Sequence, residues 1–513
     1  MGTRLWMGLL LGLASVALVG ATTTSALPER TTRVSVHSNG TPGDLASYAA
    51  AISSDDRFVA FQSAATNLVD GDTNNGSDVF VHNRETHITE RVSVSSAGAQ
   101  ANGESLLPAI NSDGRYVAFV SWAPNLVTGD TDACELELPP PNPPIKYNCP
   151  DIFVRDRQTS TTERVSVSSA EVEADGENWS PTINGDGRYV AFYYDATNLV
   201  SGDTNNVEDI FVRDRQAGTT IRVSLASDGT QANGASDGWL AISGSGRFVA
   251  FTSDATNLVA GDTNGAGDVF VRDRDTDTDG IFDETGAVST TRVSVDSSGT
   301  QSNGESYYAA ISGDGRYVAF GSAATNLVGG DTNGFSDVFL RDRQTNTTTR
   351  VSVDGAGVQG NGGSFDPSIS SNGMSVAYWS AATNLVVGDT NATDDIFIWD
   401  RQTGATTRVS LDTGGAQGNA ASTAPAVSGS GGYVTFESEA TNLVPGDTNE
   451  VSDVFVRDRV GPVGGIAELP DAARDSRRPE TDGALFAGLS AVALALLSAG
   501  AWHVRRRFRQ GQD

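Results

Sequence analysis

The segment DTDTDGIFDE, Asp275–Glu284, sets carboxylates at its first, third, fifth and ninth positions and a glycine at its sixth. Alternate residues of a tight loop converge their oxygens on one point, and Gly280 permits the sharp turn such a loop needs. Hard oxygen donors arranged in this way suit calcium. The expected ligands are Asp275, Asp277, Asp279 and Asp283, with the carbonyl of Ile281. The twelfth position is Gly286, so the segment is not an EF-hand and matches shorter, hairpin-borne calcium loops. The alternative is an acidic, solvated turn.

A second pattern, D-T-N-x-x-x-D, recurs along the chain. It appears as Asp72/Asn74/Asp78, Asp203/Asn205/Asp209, Asp262/Asn264/Asp268, Asp331/Asn333/Asp337, Asp389/Asn391/Asp395 and Asp447/Asn449/Asp453. Another copy is split: Asp130 and Asp132 precede an insertion, and Asp151 follows it. Asp and Asn side chains bond nearby backbone amides and hold long loops in shape; equally, three such oxygens are part of a calcium shell. Recurrence in every copy favours a loop brace over a unique site.

A third set is aromatic: Tyr48, Trp179, Trp239, Tyr307, Tyr308 and Phe365 stand where a strand is about to begin, and Leu106 and Thr423 replace them in two copies. Rings at a channel mouth stack on sugars or grip a peptide; they also pack between neighbouring sheets, which is the commoner use.

The elements that position these residues repeat. RVS occurs at Arg33, Arg91, Arg164, Arg222, Arg292, Arg350 and Arg408, at spacings of 58, 73, 58, 70, 58 and 58 residues. This is one supersecondary unit of 58 residues with two insertions. Each unit reads as four short strands: one around Ala-Ile-Ser (Ala51–Ser53), one like RYVAF (Arg316–Phe320), one like DVFVRDR (Asp268–Arg274) and one like TRVSV (Thr291–Val295). VAF and VFV are continuous apolar runs, which predicts strands covered on both faces, as when sheets stack on sheets. The first unit begins with an orphan RVSV and the last ends at DVFVRDRV with none after it. The N-terminal strand must therefore complete the last unit, which closes a ring. The expected fold is all-β, a seven-bladed β-propeller over 31–460.

SGDGRYVAF (Ser312–Phe320) followed by DVFLRD (Asp337–Asp342), with equivalents in every unit, resembles the blades of the TolB-type, WD40-like PD40 propeller family. That resemblance implies the fold and says little about function: the proline before Asp-Gly and the extra N-terminal domain of TolB are absent.

Both ends have the character of targeting segments. Residues 1–26 read as a signal peptide, 461–483 as a flexible stalk, 484–504 as an uncharged transmembrane helix and 505–513 as a basic cytoplasmic tail. RPETDG (Arg478–Gly483) departs from a sortase signal at its first and fifth letters, so wall anchoring is the weaker expectation. The expected protein is exported and single-pass, with its propeller outside the cytoplasm. Both ends of the propeller should leave by the lower face. The upper face would then point away from the membrane, with the Asp-rich loops and the blade-to-blade returns. Cys134 and Cys149 bracket a proline-rich insertion and are expected to pair.

The formal charge of -30 repels phosphates, so nucleic acid is not an expected partner. Enzyme signals are thin. No H-E-x-x-H occurs, and Gly234–Gly238 fits G-x-S-x-G only as a blade return, outside a strand-to-helix turn. The expected function is a calcium-stabilised binding or scaffolding module at the cell surface, for a protein or a glycan, and not an enzyme. The rival is a carbohydrate-active lyase or hydrolase with its site at the channel mouth.

Overall fold

The computed structural model describes residues 29–131, 133–136, 145–236 and 238–459. The predicted signal peptide, stalk, transmembrane helix and tail lie outside the described residues. Among the described residues no helix is long and apolar enough to cross a membrane.

Seven four-stranded antiparallel sheets form the body. In blade one the strands are Ser47–Ile52, Phe58–Ser63, Asp78–Asn83 and Ile88–Arg91. Blade seven consists of Ser422–Val427, Tyr433–Ser438, Asp453–Asp458 and the N-terminal strand Arg30–Arg33, which pairs Arg33 with Phe455. An additional two-stranded ribbon, Ala133–Leu136 with Ile145–Asn148, stands in blade two between its second and third strands.

Seven hydrophobic clusters fill the body, one between each blade and the next. The cluster joining Val454 and Val456 of blade seven to Val59, Phe61 and Phe80 of blade one is the seventh. An open solenoid of seven units would have only six such seams. The continuous apolar runs behave as expected. Asp268–Asp273 is buried at all six positions, and Phe251 and Phe270 stack at 6.0 Å across the same sheet. Each buried phenylalanine removes enough apolar surface to stabilise the fold by about 2–3 kcal/mol.

The Asp-Gly turns lock neighbouring blades. Gly315 has φ +72°, and a Cβ there would run into the Phe248 ring of the preceding blade. Phe248 is covered from above by the guanidiniums of Arg247 and Arg343, 4.7 and 4.5 Å from its centroid. Glycine is thus required for conformation and for space at once.

The innermost strands are interrupted in a constant way. In six blades their register shifts by a bulge, and the bulged residue has positive φ: Ala49, Leu107, Ser180, Tyr308, Asp366 and Ala424. Strictly alternating strands would present backbone to the ring's axis; the bulge gives that edge a side chain of variable type.

Candidate functional site

The recurrent Asp-Asn-Asp set is a hydrogen-bonded clasp. In blade one, Asp78 is fully buried and accepts from Ser93 Oγ at 2.5 Å, Gln100 Nε2 at 3.0 Å and Arg91 Nη1 at 3.2 Å. Asp72 accepts from Gln100 Nε2 at 2.8 Å and lies 3.4 Å from Arg91. Asn74 donates to Asp78 and to the carbonyl of Ala101, at 3.3 and 3.0 Å. The Arg and the Ser belong to the RVS strand, and Gln100 to the return into the next blade. The same Arg–Asp pairs recur at Arg222 with Asp203 and Asp209, Arg292 with Asp262 and Asp268, Arg350 with Asp331 and Asp337, Arg408 with Asp389 and Asp395, and Arg33 with Asp447 and Asp453. Asn205, Asn264, Asn333, Asn391 and Asn449 each donate to the buried carboxylate four residues on. In each of these blades one guanidinium reaches both carboxylates. Upstream, Asn67 Nδ2 reaches the carbonyl of Pro42 at 2.9 Å, so one loop is tied to both flanking returns.

The Asp275–Glu284 loop is arranged differently. Asp275, Asp277 and Asp279 bring one oxygen each within 4.8 Å of one another. Gly280 adopts φ +87°, and its N–H and that of Asp279 both donate to the Asp275 carboxylate at 3.2 Å. Ile281 donates its N–H to Asp279 Oδ1 at 2.8 Å. Asp283 does not join the three: both its oxygens accept from Arg274, at 2.6–3.1 Å. Arg274 is buried and needs a counter-ion, and Asp283 supplies it. Glu284 is the fourth acid that feels the cluster, its pKa raised first by Asp279. The pKa of Asp277 is raised as well, by desolvation first and then by the charge of Asp279.

The aromatics divide into two groups. Tyr48 and Trp239 are 42% and 46% exposed. The others are packed: Trp179 edge-on to Trp122 at 5.4 Å, Phe365 on Trp379 at 4.6 Å, and Tyr307 edge-on to Tyr308 at 5.1 Å with its hydroxyl on Ser336. Tyr308 also lies 6.2 Å from Trp239, linking blades four and five.

Two acids beside these rings were not among the residues singled out from sequence. Asp366 is the bulge residue of blade six, and burial pushes its carboxyl up to about 7. Glu437, on the second strand of blade seven, accepts from the N–H of the bulge residue Ala49 at 2.5 Å. Its carboxyl is also pushed up to about 7, by burial first and by the charge of Asp366 next. Asp366 raises the pKa of Tyr308, after burial, and Glu437 that of Tyr48. Blades five, six, seven and one thus contribute to one acidic, aromatic patch at the inner edge. The signal was readable as a departure from the repeat: Gln62, Val120, Tyr193, Thr252, Gly321 and Trp379 stand where blade seven has Glu437.

Cys134 and Cys149 are joined, their Cα atoms 5.0 Å apart. The ribbon they close reaches blade three through the Tyr147 hydroxyl, which donates to Glu177.

No protein-family model matches the chain, and no curated protein matches it. Among solved structures it is similar to TolB from Acinetobacter baumannii, at 16% identity over 65% of this chain and 59% of that one, with a TM-score of 0.35. The chain thus spans less than two thirds of that TolB. It is also similar to an oligogalacturonate lyase solved in complex with manganese, at 10% identity over 85% and 94% of the two chains, TM-score 0.48. A Pyrococcus horikoshii acylaminoacyl peptidase matches at 11% identity over 80% and 50%, TM-score 0.44.

Proposed function

We propose that this propeller is a binding and scaffolding module of the cell surface, exported and held by its C-terminal segment, with its ligand site at the inner edge of blades four to seven and one. The observation that carries this reading is where the repeats differ. The clasps and the Phe pairs are nearly identical from blade to blade. The ring-lining bulge changes from Ala49 to Leu107, Ser180, Tyr308, Asp366 and Ala424. A purely structural ring would have no reason to vary there.

Exposed Tyr48 and Trp239 offer flat faces for a sugar ring or a peptide side chain. Asp366, Glu437 and the overall charge of -30 disfavour polyanions. The ligand is therefore a neutral glycan or a neutral-to-basic peptide. Calcium on Asp275, Asp277 and Asp279 rigidifies the lower turn of blade four and plays no catalytic part. The test is tryptophan fluorescence of the full chain titrated with neutral oligosaccharides and with basic peptides. Saturable quenching lost in Trp239→Ala and Tyr48→Ala supports the reading; identical curves for the variants, or no response to either class, overturn it.

The acid pair favours a second reading, a carbohydrate-active enzyme. Two carboxyls titrating near neutrality are the equipment of general acid and base catalysis. Turnover of an oligosaccharide abolished by both Asp366→Asn and Glu437→Gln would establish it, and its absence across neutral and acidic oligosaccharides leaves the binding module.

A further inference from the structure

Six of the seven outer strands are plugged, and one is not. The outermost strand of a blade turns the N–H and C=O of one threonine outward, an edge open to pairing with another chain. In six blades a hydroxyl from the preceding return sits on both groups. Ser38 accepts from the N–H of Thr89 at 3.0 Å and donates to its carbonyl at 3.3 Å. Ser96, Ser169, Ser227, Ser297 and Thr413 do the same for Thr162, Thr220, Thr290, Thr348 and Thr31, at 2.8–3.2 Å and 3.2–3.5 Å.

Blade six has Gly355 in place of the hydroxyl, and its threonine is Thr406, which pairs with Trp399 as Thr348 pairs with Arg341. A Cβ added to Gly355 would meet nothing within 4 Å, so the seam stands open there. A second tie is missing at the same seam. In five blades an arginine reaches the carbonyl of the preceding return at 2.8–3.2 Å: Arg155, Arg213, Arg272, Arg341 and Arg457. Trp399 replaces it in blade six and packs into the core instead. What remains is the Thr406 hydroxyl on the carbonyl of Val353, at 2.5 Å. The seam opens into a groove of about 660 Å³ lined by Val328, Val353, Gly355, Val358, Trp399 and Thr403.

The surroundings set the charge of what fits. Asp156, Asp214, Asp273 and Asp342 are each paired with an arginine of their own blade, at 2.6–2.7 Å. In blade six Met374 stands where that arginine would be. Asp400, the equivalent acid, holds Thr403 at one end of the groove, accepting from its N–H at 2.8 Å and its hydroxyl at 2.7 Å. Blade six thus lacks two cations that most of its siblings carry, in a chain whose net charge is already -30. Its edge is complementary to a basic chain.

We propose that the outer edge of blade six binds a basic peptide in extended conformation, which adds to the sheet as a further strand. Thr406 offers one backbone donor and one acceptor side by side, the pattern that a peptide main chain answers. Alternate side chains of the peptide meet the apolar floor and the exposed Val358, and its lysines meet Asp400. This site is separate from the patch at the ring's inner edge.

The test is fluorescence anisotropy of a labelled, alternating lysine–valine peptide titrated with the full chain, with hydrogen exchange at Thr406 as a second readout. Saturable binding and slowed exchange of the Thr406 N–H are expected, and an alternating glutamate–valine peptide should not bind. Gly355→Ser installs the hydroxyl of the sibling blades at a glycine whose backbone is not left-handed, so its melting temperature should match or exceed that of the parent. The same variant should weaken the peptide about tenfold or more, as should methylation of the peptide's backbone amides. Equal binding to Gly355→Ser, equal binding of the methylated peptide, or no binding of the lysine–valine peptide overturns strand addition. A chain that is dimeric until Gly355→Ser makes it monomeric gives this edge to a second copy and overturns the peptide.

Discussion

Arg33 Nη1 lies 2.8 Å from Asp453 Oδ2 and 3.0 Å from Asp447 Oδ1, across 420 positions of sequence. The same contact joins residues 13 positions apart in blades one, two and three and 24 apart in blade four. Here it also fastens the two ends of the ring, with Ser35 Oγ on Asp453 at 2.5 Å and Thr31 beside Leu411. The chain has one seam that chain connectivity does not enforce, and the clasp is spent on it.

Arg33→Ala should therefore destabilise the ring by about 3–5 kcal/mol, because it leaves the buried Asp453 carboxylate without its counter-ion. Denaturant unfolding at neutral pH measures this. Arg33→Ala/Asp453→Asn should recover part of the loss, since an amide tolerates burial without a counter-ion. A loss under about 1 kcal/mol would mean that the strand pairing of Arg30–Arg33 closes the ring unaided.

A pH dependence follows from His82. It stands where Arg155, Arg213, Arg272, Arg341 and Arg457 stand in other blades. It is buried, with Nδ1 2.9 Å from Thr89 Oγ1. Burial, then His87 and Arg84, push its pKa down to about 4. The folded state thus binds fewer protons than the unfolded one, whose imidazole titrates near 6.5. Stability from this group is full above pH 6.5 and drains as pH falls toward 4. His82→Gln should lessen the fall in melting temperature between pH 7 and pH 5, by an amount equivalent to about 1–2 kcal/mol. Parallel curves for the two proteins would remove His82 as the cause.

The ring was legible because it is redundant. Seven copies of RVS and the displaced first strand imply closure without any three-dimensional information. The Asp-Asn-Asp sets were visible too, but their partners were not: Arg91, Ser93 and Gln100 lie on a different strand and in a different return from Asp72 and Asp78, and only folding aligns them. Asp283 stands apart from the other three acids of its loop for a related reason. Spacing placed it in the loop, whereas the buried Arg274 beside it, invisible as buried from sequence, claimed its carboxylate. Asp366 and Glu437 stand 71 positions apart in different blades, so only a blade-by-blade alignment of the repeats marks them out from the other acids of an acidic chain.

The ribbon in blade two should behave as a separate unit. Its strands, Ala133–Leu136 and Ile145–Asn148, form a sheet of their own. The Cys134–Cys149 bond closes a loop of separation 15, worth about 3 kcal/mol of chain entropy. That constraint acts on the ribbon and not on the seven seams. Cys134→Ser/Cys149→Ser should leave the main melting transition within a few degrees and make Ala133–Asn148 the first site cut in limited proteolysis. A large drop in the main transition would show instead that the ribbon holds blades two and three together through Tyr147 and Glu177.

The Asp366–Glu437 pair gives the opposite sign to His82. Both carboxyls are raised to about 7 in the folded state, from ordinary values of 3.8 and 4.5. Between those limits the folded chain holds more protons than the unfolded one, so stability falls as pH rises from about 4 to about 7 and is level above that. Replacing Asp366 by Asn removes an ionisation that the site resists. Asp366→Asn should therefore leave stability at pH 4 almost unchanged and raise it at pH 8 by about 1–2 kcal/mol, after discount for the solvent that reaches the ring's axis. Glu437→Gln should do the same while keeping an oxygen for the N–H of Ala49. Melting curves at the two pH values decide it. If Asp366→Asn stabilises equally at both, the gain comes from relief of the left-handed bulge and not from charge; if it destabilises at pH 8, a cationic group that the ligand-free ring does not provide is already bound there.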